Sequence, residues 1–386
     1  THEGGNRRIW NALMARNLDR TSKKLIARVL EVEPDEFEPL TAGELHSVCE
    51  RLVAAGFKED DIPTKDEIGF LSSISFRNIH FQKPFLMNKR LFPTLTDFSG
   101  CIFNDNFSVQ GAVFEAAHFS NAIFNGHAYF RDSKFGVIGS ISNCSEFINC
   151  TFAKRADFSK SIITNGNFTK SRFETSAHFE ETVFRSGCPK FFDSELPEDT
   201  IFTLEAGHWH PPLPESNHRG QPKEYSDSTL NRESLKYSAL RKRMETIQRP
   251  SEVQFFMRKE LSLKGHLKGW DALLIRSYGY FSEFGSSIGR PLLWLSVVIA
   301  FGAAAYSGYF IQLNIKSTDL SNPFFSGVGL SISSTFSFLG LNRLFFSNII
   351  PQLPPVLVLI LALQTISGFV LSFLLGLGLR SRLRLK

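Results

Sequence analysis

Two kinds of hydrophobic pattern divide the chain. In the first, a large apolar residue recurs every five or six positions, at Phe98, Phe103, Val109, Phe114, Phe119, Phe124, Phe130, Phe135, Ile141, Phe147, Phe152, Phe158, Ile163, Phe168, Phe173, Phe179 and Phe184. A strand repeats at two residues and a helix at about 3.6, so this beat belongs to neither. The residue two before each centre is small in sixteen of the seventeen cases, the exception being Phe107 before Val109. A coil that turns a corner every five residues satisfies both regularities, placing one large and one small side chain per face inside a narrow shaft. Stacked coils of this kind pair at about 4.8 Å, and their phenylalanines form ladders along the axis.

With a small residue, a polar residue, Leu or Phe at the centre and two variable positions, the repeat resembles the pentapeptide-repeat family over about residues 71–202. That resemblance implies a right-handed quadrilateral β-helix. Phe76 and Phe81 keep the spacing but have Ile74 and Ile79 at the small position, and "QKPFLMNKRLFPTL" interrupts the beat. The first coil is therefore expected to be irregular or a cap. Because the inward positions are apolar or small, recognition falls to outward residues such as Glu115, His118, Asn121, His127 and Arg131.

The second pattern is continuous apolarity. Residues 292–313 and 356–379 contain no charge, and each as a helix covers about 30 Å or more, the thickness of a bilayer core. Both are predicted to span a membrane, making the lipid bilayer the first partner. Lys264, Lys268, Arg276 and Arg290 precede the first span, and Arg380, Arg382, Arg384 and Lys386 follow the second. The connecting segment holds only Lys316, Asp319 and Arg343, so the positive-inside rule puts both termini and the solenoid in the cytoplasm. Residues 269–291, with Trp270, Tyr278, Tyr280, Phe281 and Phe284, suit an interfacial elbow.

Between the spans, residues 323–350 are too apolar for an ordinary external loop and too broken by Gly, Ser, Asn and Pro for a third span. Irregular backbone at membrane depth is tolerated when it is buried in protein or lines a water-filled path, which predicts a re-entrant, pore-like segment, the alternative being an external hairpin lying on the membrane surface. Here "SSTFSFLGLNR" looks like a distant counterpart of the filter region of two-helix ion channels, through Ser334, Thr335, Ser337, Gly340, Asn342 and Arg343. Aligning Gly340 with a first filter glycine puts Leu341 at the aromatic and Asn342 at the second glycine. This departs from a potassium filter, and Arg343 points to weakly selective or anion permeation. Gln364, Thr365, Ser367, Gly368 and Ser372 form the candidate pore-lining row of the second span, or equally a row of packing contacts between helices. The whole layout of residues 71–386 also resembles bacterial pentapeptide-repeat membrane proteins with a channel-like C-terminal domain, which implies an inner-membrane location.

The remaining segments are helical or linking. Residues 1–70 read as an N-terminal helical domain whose second part opens with a Thr41-x-x-Glu44 capping box. Residues 204–225 read as a linker, with His208, His210 and His218 as exposed loop histidines rather than metal ligands. Residues 226–268 read as a helical hairpin, its second helix opening on a Ser251-x-x-Gln254 box, with Leu235, Leu240, Phe255, Phe256 and Leu261 available for its seam. The fold class is thus a multidomain membrane protein, joining a quadrilateral β-helix to N-terminal helices, a hairpin and a two-span transmembrane domain from residue 292 to 386.

Composition narrows the function. Thirty-nine phenylalanines in 386 residues are accounted for by the ladders, and five cysteines without paired spacing read as reduced thiols. Residues 94–190 hold nine acidic and nine basic side chains, so the solenoid is no DNA mimic and nucleic acid is not an expected partner. No phosphate-binding loop, nucleophile elbow, metal-protease motif or recurring acid pair appears, so neither catalysis nor a cofactor is expected. The leading expectation is an oligomeric channel, favoured as a tetramer because two-span subunits need partners to enclose a pore. In the alternative, the spans anchor a scaffold that binds another, unidentified cytoplasmic protein without conducting.

Overall fold

The computed structural model describes residues 2–16, 18–54, 73–136, 145–211, 226–313 and 322–384. Among these residues the chain forms a β-solenoid of about six turns together with ten α-helices, two of which are long and apolar enough to cross a membrane. It divides into two compact units, residues 1–256 and 257–386.

In the first unit every strand pairing is parallel, as required when successive coils stack in the same direction. The strands are mostly two residues long and form sheets of eight, five and six strands. In the eight-stranded sheet, strand Val113–His118 pairs with Leu91–Asp97 of the coil before it and carries two pairings toward the next coil, Val113 to Lys134 at one end and Ala117 to Ser145 at the other. Corners are turned by residues with positive φ two positions past a ring, such as Asn78, Gly100, Asn121 and Asn149. At Gly100 a Cβ would also run into the Asn78 side chain of the coil before it, so glycine is needed there twice over.

The phenylalanines stand in columns. Phe76, Phe98, Phe119, Phe147, Phe168 and Phe191 stack at 4.8 or 4.9 Å between centroids, with planes within 7° of parallel. Phe81, Phe103, Phe124, Phe152 and Phe173 make a second column. A third runs from Phe85 through Phe107, Phe130, Phe158 and Phe179 to Phe202, and a fourth holds Phe92, Phe114 and Phe135. The fourth column continues at Ile163, which Phe135 meets across the ladder, and at Phe184 beyond it. All fourteen phenylalanine centres named from the beat between Phe98 and Phe184 are at most 3% exposed. Rings of one column meet those of the next edge-on, as Phe119 meets Phe130 at 88°, which suits the aromatic quadrupole.

Three features differ from the sequence expectation. The first coil opens in register, Ser73–Ser75 pairing with the next coil and Phe76 and Phe81 beginning their columns, so isoleucine at the small position is accommodated; the expected irregularity is confined to its close, where the ladder shifts register between Phe92 and Leu95. Phe107, the exception to the small-residue rule, supplies the ring of its column by stacking on Phe85 at 5.3 Å, while Val109 is buried beside it. One turn is long. Asn125 hydrogen-bonds Asn104, 21 positions back, whereas Asn149 hydrogen-bonds Asn121, 28 positions back. The expected centre Ile141 and its partner Gly139 fall in that added length and lie outside the described residues.

Helices α1 (His2–Met14) and α2 (Arg20–Leu30) pack on the side of the solenoid. Ala15, Ile26, Ala27, Leu30 and Phe37 enclose Leu91 and Val113, outward-facing residues that the helices bury completely. Asn11 fixes this docking: its Oδ1 accepts the Leu91 N–H at 3.0 Å and its Nδ2 donates to the Lys89 carbonyl at 3.3 Å. The basic residues of α1 are paired internally, Arg7 with Glu36 and Arg8 with Glu44. α3 (Ala42–Ala54) starts with the expected capping box, the Thr41 N–H donating to the Glu44 carboxylate at 2.8 Å.

The far end of the ring stack is closed by α4 (Asp227–Thr246) and the opening residues of α5 (Pro250–Lys264). Trp209, within the stretch read as a linker, is 2% exposed and packs on Phe184, Phe202, Tyr237, Phe255 and Phe256. Arg243 donates to the Leu196 carbonyl, and Arg249 to those of Glu198 and Thr200, satisfying last-coil acceptors that have no further strand. Leu240, Phe255 and Phe256 are buried as expected, but Leu235 is 61% exposed because it lies on the other face of α4. α5 begins at Pro250, so Ser251 is inside the helix rather than capping it; proline suits the first helical turn because its missing N–H has no intrahelical acceptor there.

Candidate functional site

The second unit contains the rest of α5, then α6 (Trp270–Ser282), α7 (Gly289–Leu313), α8 (Pro323–Thr335), α9 (Leu341–Phe345) and α10 (Pro355–Arg384). The 25 residues of α7 and 30 of α10 correspond to about 37 and 45 Å, enough to cross a hydrocarbon core with tilt. Tyr280 and Phe281 on α6 pack against Trp294 on α7, which fixes the elbow leading into the first long helix. Lys316 and Asp319 of the connector lie outside the described residues, as do His218 and Lys386.

α8 begins at a clear start signal, Asn322, whose side chain accepts the Phe324 N–H at 3.0 Å, with proline at the first helical position. At 13 residues it is too short to cross a bilayer, and it packs against both α7 and α10. Two glycines set that approach. A Cβ at Gly327 would strike Ser307 on α7, and one at Gly368 would strike the Thr335 carbonyl on α8.

The polar side chains of this unit meet where the three helices converge. Gln364 of α10, 4% exposed, directs its amide nitrogen at Ser331 Oγ (2.6 Å) and Thr335 Oγ1 (3.0 Å) on α8. Its Oε1 accepts the Tyr306 hydroxyl of α7 at 3.1 Å. Ser331 in turn donates to the Ile299 carbonyl at 2.7 Å, Thr335 to the Ser331 carbonyl at 2.9 Å, and Thr365 to the Ser334 carbonyl at 3.2 Å. Ser334 is fully buried and bonds back to Leu330, a local pairing available to a helical hydroxyl that faces other helices. Ser367 is half-buried at the floor of a groove of about 260 Å³ between Trp294, Phe301, Ile360 and Leu363. Ser372 has a hydroxyl that is buried without a hydrogen-bond partner among the described residues.

The filter-like residues form a helical turn rather than an extended run. Ser337–Leu339 is one turn of 3-10 helix, Gly340 closes it at φ 73°, and α9 follows at once. The carbonyls of Phe336, Ser337, Gly340 and Asn342 all accept backbone N–H groups of the same segment. Asn342 is 9% exposed with its Oδ1 unpartnered, whereas Phe338, Leu339, Leu344 and Phe345 are all at least 59% exposed, alongside exposed Arg343. Outside the polar core, the surfaces of α7 and α10 are apolar, with Leu293, Phe301, Ile311, Leu359, Ile366 and Phe373 each at least 60% exposed.

Sequence reasoning found Gln364, Ser334 and Thr335 but missed Tyr306 and Ser331, which complete the network. The signal was available: a lone amide in a long apolar helix must find partners, and the hydroxyl-rich "SISST" end of α8 is the nearest supply. Among the described residues no cluster of His, Cys, Asp or Glu is arranged to hold a metal ion.

A parallel solenoid built on stacked rings, combined with two helices of membrane-spanning length, defines a membrane-associated repeat protein. Residues 92–134 match the family model described as pentapeptide repeats (9 copies), in the part of the chain where the five-residue beat is strongest. No curated protein and no solved structure matches the chain.

Proposed function

We propose that the chain is a membrane-anchored solenoid, in which the helical unit holds the protein in the bilayer and the outward polar ladders of the solenoid present a surface to another protein, with no catalytic step. The single observation that carries this reading is the inward convergence of polar groups on Gln364 within one chain, beneath an apolar outer surface. A bilayer anchor requires that arrangement, since each polar group left facing lipid costs free energy. The right-handed, four-sided coil implied by the repeat resemblance accompanies this reading, as does an orientation with both termini on the cytoplasmic side of an inner membrane, from Arg276, Arg290, Arg380 and Arg382.

A second reading, a tetrameric channel with a re-entrant segment, is favoured by one observation: the order of long helix, short helix, turn, long helix, with α8 packed against both neighbours. Against it, the apolar outer face of α10 offers water no lining, and the carbonyls around Gly340 are already engaged. Recording from the purified full chain in planar bilayers separates the two. The anchor predicts a protein that resists alkaline extraction from membranes and gives no conductance. Stepwise currents whose ion selectivity changes in Arg343→Glu would overturn it in favour of the channel.

A further inference from the structure

Within the first unit, the end of α2 and the side of the solenoid enclose a polar cleft of about 610 Å³. Its volume falls in the range of small-molecule sites, and its lining distinguishes it from the apolar groove of the helical unit. Lys89, Arg131, Lys134 and Lys160 converge on it from three coils, with Gln110 of the coil between Lys89 and Arg131, and Arg7 borders it from α1. Among the described residues of the lining, Glu31 and Asp132 oppose these cations, so the lining carries an excess of positive charge.

Arg7 is committed to Glu36, but the ion pairs around the cations of the solenoid are long. Lys89 stands 3.6 Å from Glu31, Arg131 3.5 Å from Asp132 and Lys160 3.9 Å from Glu181, whereas Arg155 and Asp157 elsewhere on the solenoid approach to 2.7 Å. Cations held at such distances keep hydrogen-bonding capacity for a further anion. Lys134 is placed more firmly, with its ammonium donating to the Val29 carbonyl at the end of α2, and burial lowers its pKa from the usual lysine value. An anion in the cleft offsets that desolvation.

We infer that this cleft binds a compact phosphate-bearing anion, gripped by Lys89, Arg131, Lys134 and Lys160 between α2 and the solenoid wall. Phosphate fits because its several oxygens can accept from cations arriving on different coils, and the cleft has room for a pyrophosphate-sized group with a polar substituent. The same chemistry is available from a free phosphorylated small molecule or from a phospholipid headgroup. By bridging cations on three coils, the ligand would tie those coils together along the side of the solenoid.

The test is amine labelling of the full chain in phosphatidylcholine nanodiscs, read lysine by lysine by mass spectrometry. One arm adds inorganic pyrophosphate; the other replaces part of the phosphatidylcholine with phosphatidylglycerol and adds no free phosphate. Protection of Lys89 and Lys160 by pyrophosphate identifies a free ligand, and protection only in the phosphatidylglycerol discs identifies a headgroup. Either supports the site. In Lys89→Ala/Lys160→Ala, the protection of Lys134 should weaken by about tenfold in ligand concentration, with unchanged thermal unfolding in the absence of ligand. Absence of protection in both arms, or equal protection of Lys134 in the double variant, overturns the inference.

Discussion

The side-chain amide of Gln364 on α10 donates to the hydroxyl of Ser331 on α8, 2.6 Å away, in the interior of the helical unit. The same amide reaches Thr335 and accepts from Tyr306, so one residue ties together all three helices that define the unit. Gln364→Leu keeps the volume but strands the Tyr306 hydroxyl. It is expected to lower stability by about 1–2 kcal/mol, measured by thermal unfolding in detergent against Ser331→Ala and the double variant. The two substitutions should be less than additive, because each removes the same bond.

Gly368 provides a second check on this packing. Any side chain there meets the backbone carbonyl of Thr335, which has no rotamer with which to yield. Gly368→Ala should therefore cost about 1–3 kcal/mol, while Gly376→Ala, where nothing lies close, should be tolerated. Equal melting temperatures for the two variants would contradict the close approach of α8 and α10.

In the solenoid, Phe107→Ala is expected to cost as much as Phe130→Ala, about 3–5 kcal/mol each by denaturant unfolding. The repeat motif alone assigns Phe107 to a small-residue position and predicts a mild effect. Its ring stacks on Phe85 and packs on Phe130, so the structure predicts the opposite.

Asp157 makes the solenoid sensitive to acid. Burial pushes its pKa upward, but the hydrogen bonds from Ser159 and the Arg155 guanidinium outweigh this and hold it below the usual 3.8. A depressed carboxylate pKa means the folded state binds the proton less tightly than the unfolded chain. Its contribution is present in full above the unfolded value and is lost as pH falls through the folded one. Stability should decline below about pH 4, and Asp157→Asn should flatten that decline in a pH series of unfolding curves.

The five-residue beat exposed most of the solenoid because ring position and coil geometry are the same constraint there. It failed where the constraint relaxes. Phe85, Phe92, Phe191 and Phe202 join the columns from irregular spacing, and pairing with the neighbouring coil, which a local motif cannot register, sets their place. The turn between Phe135 and Phe147 is longer than the one before it, a difference that a five-residue beat does not register because turn length is set by pairing across coils. In the helical unit the long helices were legible from apolarity. That Gln364 needs partners was legible as well, but which hydroxyls of α8 meet it was not, since the face of α8 that meets α10 depends on glycines whose role appears only when helices touch.

Trp209 and the α4–α5 hairpin have a consequence for assembly. A stack of parallel coils exposes at its last turn the template on which another chain can add, and nothing in the repeat limits such growth. Here the aromatic lid over Phe184 and Phe202, and the arginines on the final carbonyls, terminate that template from within the same chain. The number of coils is thereby written into the gene as a fixed length, and filament growth from that end is closed off.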